Sequence, residues 1–464
     1  MQFNSDDENT GKANSLLEVQ IIQNWQDQLW DRPDLVTEDG EPVKVVYPGR
    51  LNGDGGADFT DAVIATKQGR IKGDIEFHVK SSNWRAHGHH HDPAYNRVVL
   101  HIVFWNDTGG PAHLQNGKRI PTLELSKYLR RPNGKHPASS RRPAYSGMPC
   151  QKATGHRDTG LLAEFLDQAG EERFLAKAAG FQATLAHTEA AEALYQALMG
   201  ALGYAKNKSP FLELARRLPL RALEVITKSE ATETECLARQ QALLLGTAGL
   251  LPSQCRHRHP AGNGDGWVGQ LERIWAATRQ TGIMSEQDWY FARVRPSNLP
   301  PRRIAAMSYL LLRYRKSGML EKAIARVGET PAVNGSRSLE EFLVVTSDGY
   351  WADHFDPTLP SRTRAPSLLG HRRAADIAVN VILPFAFAWG KLASHQELAR
   401  KSLGLYQNYP RLAINALEKH MRHQLSLNSD LIDSARRQQG LIHIYRTLCS
   451  QGRCQQCPIS KISD

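Results

Sequence analysis

The chain has 464 residues, 41% hydrophobic and 23% charged, with a formal net charge of +11. This composition excludes a collagenous or low-complexity chain and provides for a sizeable core in two or three domains. The positive balance favours an anionic partner, nucleic acid before an anionic membrane.

No run of 18 or more apolar residues occurs, so no membrane-spanning helix is expected. The N-terminus, MQFNSDDENTGKANS, lacks the basic and apolar regions of a secretory signal. A disordered lead-in over 1–14 and a cytoplasmic location are expected. Six cysteines in this length do not make a disulfide scaffold.

Ser15 to Trp30, SLLEVQIIQNWQDQLW, has helical spacing, with Ser15 placed to cap it and Glu18 three residues on. Four strand signals follow: Val43–Tyr47, Phe59–Thr66, Gly73–Lys80 and Val98–Trp105. Gly-, Asn- and Asp-rich turns separate them, notably NGDGGAD at Asn52–Asp58 and KQGR at Lys67–Arg70. An α/β domain over 15–125 is therefore expected. The segment 126–157 is dense in Arg, Lys, Pro and Ser and reads as a basic linker. From 158 to 448 the periodicity is helical, which predicts a mostly α-helical domain. A cysteine-rich C-terminus closes the chain over 449–464.

GDIEFHVK at Gly73–Lys80 alternates strictly. Ile75, Phe77 and Val79 share one face; Asp74, Glu76, His78 and Lys80 share the other. A half-exposed strand would look the same. The next strand, VVLHIVFW, is apolar on both faces apart from His101, so this sheet is expected to be covered on both sides. Ionisable residues under such a cover are costly unless paired or used. Asp58 follows a Gly-rich turn at the start of an earlier strand, and strand bending is expected to bring it toward Glu76. Carboxylates so gathered suit Mg²⁺ or Mn²⁺ and metal-assisted phosphodiester hydrolysis. Lys80 on the same face would stabilise the developing charge.

The order of a Glu-bearing helix, a strand, GGADF at Gly55–Phe59, a hairpin and Glu76-Phe77-His78 resembles the PD-(D/E)XK nuclease superfamily. That resemblance implies a restriction-endonuclease-like mixed sheet flanked by helices. It implies Asp58 and Glu76 as metal ligands, Lys80 or His78 as catalytic base or stabiliser, and Glu18 as the first-helix carboxylate. Ala57 stands where the superfamily has Pro, and His78 where it has Lys. Over nearly its whole length the chain also resembles a bacterial family catalogued only as a domain of unknown function. PGRLNGDGGADF, GDIEFHVKSSNW, HGHHHDPAYNRVVLHIVF, NVILPF and QQGLIHIYRTLCSQGRCQQC carry that likeness. It implies no activity.

HGHHHDPAY at His87–Tyr95 concentrates imidazoles, which bind Zn²⁺, Mn²⁺ or Ni²⁺ when neutral. His87, His89 or His91 beside Glu76 would ligate a second metal or protonate a leaving oxygen. The same stretch also reads as a polar loop with Asp92-Pro93 opening a turn. Trp84 is expected to pack in the core or to stack on a base. Cys449, Cys454 and Cys457 form C-x4-C-x2-C, a metal signal that needs a fourth ligand. Cys150 is the first choice; Cys236, Cys255 and His443 are the others. Four thiolates hold Zn²⁺ or an iron–sulfur cluster such as [4Fe–4S].

Basic residues recur at Arg130, Arg131, Arg141, Arg142, Arg256, Arg258, Arg293, Arg295, Arg302, Arg303, Arg372 and Arg373, with His257 and His259. They are material for phosphate contacts, and Tyr128, Tyr145, Trp289 and Tyr290 for stacking. The expected function is a metal-dependent nuclease acting on DNA or RNA. Two alternatives stay open: a non-catalytic nucleic-acid-binding or scaffold protein on a degenerate nuclease fold, and a histidine-loop metalloenzyme acting on a small molecule.

Overall fold

The structure is a computed structural model, and it describes residues 17–28, 30, 34–129, 148, 150, 158–227, 232–255, 266–278, 282–361 and 363–460. The expected lead-in and the Ser15 cap lie outside the described residues. So do residues 130–147, 149 and 151–157 of the expected basic linker, and the basic run at 256–259.

The chain forms two units. The first comprises 1–169, 414–431 and 440–464; the second comprises 170–413 and 432–439. The first unit is built on helix α1 over 17–26 and a seven-stranded mixed sheet. Its strands are β1 (Leu35–Val36), β2 (Pro42–Tyr47), β3 (Arg50–Leu51), β4 (Phe59–Thr66), β5 (Gly69–Lys80), β6 (Val98–Trp105) and, past a small hairpin of β7 (Ala112–His113) and β8 (Arg119–Ile120), β9 (Thr122–Glu124). The order is β1-β2-β4-β5-β6-β9, with β3 also paired to β4. Pairing is antiparallel from β1 to β5 and parallel from β5 through β6 to β9.

The four strands expected from alternation and turn chemistry are all present, and β4 and β6 have the expected bounds. The short strands β1, β3 and β9 carry no sequence period of their own; pairing to longer neighbours makes them. Ile21 and Trp25 of α1 pack with Phe59, Ile75, Phe77, Leu100 and Ile102. From Gly73 to Val79 every residue of β5 is buried, as are Val98–Val103 of β6. The sheet is covered on both faces, as the apolar β6 required.

The second unit is helical, with a core that includes Phe174, Leu198, Leu244, Trp275, Leu310 and Phe385. One helical run, His371–Leu392, has the length and composition to cross a membrane, but 67% of its most apolar window is buried within the fold. Several basic residues expected to face phosphate are structural instead. Arg302 is fully buried and donates to the carbonyls of Trp351, His354 and Pro366. Arg303 donates to the Leu368 carbonyl and to Asn298 and Tyr204, and Arg373 to the Ala201 carbonyl while it covers the Tyr204 ring. Carbonyls left open by irregular backbone need such donors. Trp289, expected to stack on a base, is buried with its Nε1 on the Ala248 carbonyl.

Candidate active site

The β4–β5 hairpin turns between Thr66 and Gly69, and its register pairs Phe59 with Ile75. That register alone sets Asp58 beside Glu76, because the start of β4 lies against the far half of β5. The expected strand bending takes the form of a bulge in β4 that sets this register. The Asp58 amide donates to Glu76 Oε2 at 3.0 Å, and Asp58 Oδ2 accepts from the Phe77 amide at 3.0 Å.

A bulge interrupts β4 between Phe59 and Ala62, where Asp61 adopts φ 61°. Such an extra residue re-aims its neighbours. Asp74 Oδ1 accepts from the Asp61 amide at 3.2 Å and lies 3.4 Å from Arg97 Nη2. Asp61 in turn accepts from the Tyr445 hydroxyl at 3.0 Å. Asp74, although on the polar face of β5, therefore holds the bulge.

Glu18 precedes Ile21 and Trp25 by three and seven residues, so all three share one face of α1. Trp25 Nε1 donates to the Pro48 carbonyl at 2.9 Å and fixes that face on the sheet. Burial and then the charge of Asp58 raise the Glu18 carboxyl above its ordinary value. Burial pushes Asp58 up to about 7, with Glu76 adding to it. Burial pushes Glu76 up to about 8, opposed by the Asp58 amide and reinforced by Glu18. Three neighbouring carboxyl groups whose proton affinity is raised by burial and by one another are a site prepared for a cation.

The histidines come from β5, β6 and the connection between those strands. Short helix α2 (Asn83–Ala86) is preceded by Ser82, whose amide and hydroxyl both donate to Asp107. Gly88 at φ 75° turns the chain, and Asp92 accepts from the Ala94 amide ahead of Pro93. The loop reading of Asp92-Pro93 and the buried position of Trp84 both hold; Trp84 Nε1 donates to the His113 carbonyl. This frame sends His87 and His89 back over β5. His78 Nε2 lies 3.1 Å from His87 Nδ1 and 3.7 Å from Glu76 Oε1, and His89 Nε2 lies 3.3 Å from Glu76 Oε1. The parallel register pairs Glu76 with His101, whose Nε2 lies 2.9 Å from His78 Nδ1.

These spacings fit a metal. Ligands about 2.0–2.1 Å from a tetrahedral ion lie roughly 3.3–3.4 Å from one another. His78, His87 and His89 are the group whose ligand atoms all lie within 4.8 Å among the described residues. Burial drives His78 down to about 2 and His101 to about 3, so both are neutral, the form that ligates. His89 is also held below its ordinary value, first by burial. Its approach to Glu76 is thus not an ion pair at neutral pH. His89 Nε2 is buried without a hydrogen-bond partner, which is costly in the bare chain and natural for a ligand.

The structure thus gathers Glu18, Asp58, Glu76, His78, His87 and His89. Lys80 is exposed at the end of β5, opposite Trp105, four extended residues or roughly 13 Å along the chain from Glu76. His91 is exposed, its ring 3.8 Å from that of His90. His101 went unassigned in the sequence; its signal was a lone imidazole on an otherwise apolar strand. Elsewhere in the first unit, Cys150, Cys449, Cys454 and Cys457 line one cavity with Gln424, whereas Cys236, Cys255 and His443 do not.

A family model described as "Protein of unknown function (DUF2851)" matches residues 18–412, and the chain belongs to that family. No curated protein and no solved structure matches it.

Proposed function

We propose that this protein is a metal-dependent phosphodiester hydrolase acting on nucleic acid. The observation that carries the reading is the convergence of Asp58 and Glu76, both with raised carboxyl pKa, on His78, His87 and His89 at ligand spacing. Three antiparallel strands followed by a strand parallel to the third, with one carboxylate immediately before the second and one on the third, support the resemblance to the PD-(D/E)XK nucleases. The net charge of +11 suits a polyanionic substrate.

Asp58 and Glu76 would hold the ion as hard oxygen ligands, with His78, His87 and His89 offering nitrogens beside Glu76. A divalent cation there would activate water and offset charge on the scissile phosphate. His101 orients the His78 ring from behind and sets its tautomer, the usual task of a partner behind a ligand. In the alternative role His87 leaves the ligation to His78 and His89, and its exposed ring would pass a proton to a leaving oxygen.

The test is incubation of the protein with labelled single- and double-stranded DNA and RNA, with Mg²⁺, Mn²⁺ or EDTA. Cleavage that needs the cation supports the reading. Binding without cleavage on every substrate sinks it and favours a degenerate binding module. The histidine trio supports a second reading, a metalloenzyme with a small-molecule substrate. A tightly held Zn²⁺ or Mn²⁺, lost in His89→Ala, in a protein that neither binds nor cuts nucleic acid would establish that reading.

A further inference from the structure

We infer that Cys150, Cys449, Cys454 and Cys457 hold a thiolate-bound metal centre that fastens the C-terminal segment to strands β2 and β4. The inference does not depend on the hydrolase reading.

Cys150 stands 299 residues before Cys449 in sequence, yet all four cysteines border one small cavity. Leu425, Ile444 and Leu448 complete an apolar wall. Gln424 is buried there and turns its amide nitrogen to two sulfurs, Cys150 Sγ at 3.8 Å and Cys449 Sγ at 3.6 Å. Tyr47 of β2 holds the other end of that amide, donating to Gln424 Oε1 at 3.4 Å. One donor shared by two sulfurs is the support that thiolates bound to a metal require.

The backbone is built to converge. Two tight turns, Cys449–Gln451 and Cys454–Gln456, are joined through Gly452 at φ 62°. A Cβ at Gly452 would come within 2.9 Å of Val46 and 3.0 Å of Val63, so glycine lets this turn lie flat on β2 and β4. Arg70 donates to the Gly452 carbonyl at 3.3 Å.

Without a cation the arrangement is poor. Cys150, Cys449 and Cys457 are buried and Cys454 is half-buried, and thiols gathered on one space become useful ligands only when a soft metal takes their protons. A lone Zn²⁺ would draw its sulfurs to roughly 3.8 Å from one another. An iron–sulfur cluster would hold them farther apart, and a lining of four cysteines admits either occupant.

The experiment is anaerobic purification of the full chain, followed by iron and zinc analysis and a visible spectrum. About four irons with visible charge-transfer absorption, or about one zinc without it, supports a thiolate centre and tells the two occupants apart. That metal should fall at least about tenfold in Cys449→Ser and stay in Cys236→Ser and in His89→Ala. The last variant keeps the histidine site from being mistaken for this one. Wild-type protein free of both metals overturns the inference, whatever the variants do. So does metal that survives in a folded Cys449→Ser, Cys454→Ser double variant.

Discussion

Asp58 and Glu76 hold each other through the backbone: the Asp58 amide binds the Glu76 carboxylate, and the Asp58 carboxylate binds the amide that follows Glu76. Each carboxylate is thus positioned by the strand that carries the other. Removing one disturbs the other's placement as well as the shared charge. Asp58→Asn should lower metal-dependent cleavage more than about 100-fold, beyond what loss of a supporting partner costs. Lys80→Ala should stay within about tenfold of wild type, because Lys80 sits exposed at the strand end. Steady-state rates on one labelled duplex check both.

The histidines divide by position. His89→Ala removes a buried nitrogen 3.3 Å from Glu76, and it should weaken Mn²⁺ binding about 10–100-fold. His91→Ala should leave binding unchanged, since His91 faces solvent. Calorimetric titration of the two variants separates a built site from a merely histidine-rich loop, which would lose affinity equally in both.

Metal affinity should depend on pH in an unusual window. The folded, metal-free site keeps protons on Asp58 and Glu76 up to about 7 and about 8, against ordinary values of 3.8 and 4.5. Metal must displace them, so affinity rises as pH climbs through 7 to 8, up to about tenfold per unit for each proton released. His78 contributes no slope there because it is already neutral. The same shifts mean that the folded state binds more protons than the unfolded one. These two groups therefore cost the metal-free protein stability as pH rises from about 4 to 8. Mn²⁺ titrations at pH 6, 7 and 8 check the first claim; affinity flat across that range would contradict it.

Gly73 lies where β5 meets β6, and a Cβ there would fall 2.2 Å from Val99 Cγ1 and 2.5 Å from the Arg97 carbonyl. Gly73→Ala should destabilise the first unit by about 1–3 kcal/mol. Urea denaturation followed by Trp25 and Trp84 fluorescence reads it.

Much of this was legible in the sequence because it is local. Alternation in GDIEFHVK and VVLHIVFW, with glycine turns between strands, located β4, β5 and β6 and marked Glu76 and His78. Asp58, Glu18, Cys150 and the C-terminal cysteines were also marked. Pairing was harder. The β5–β6 register passes through a connection whose path depends on Gly88, Asp92 and Asp107, so His101 opposite Glu76 could not be foreseen. The bulge at Asp61 depends on Tyr445, 384 residues away, and no local pattern announces it. The return of 414–431 and 440–448 to the first unit was hidden for a similar reason, since their helical period looks the same in either unit; the return of 449–464 was legible, because the three cysteines there call for Cys150.

The most direct measurement is the rate at which wild type and Glu76→Gln cut labelled DNA and RNA with Mn²⁺, beside an EDTA control and circular dichroism of both proteins. The account predicts cleavage by wild type, none with EDTA, and a loss of more than about 100-fold in a folded Glu76→Gln. Equal rates in the two folded proteins, or cleavage that persists in EDTA, would contradict it.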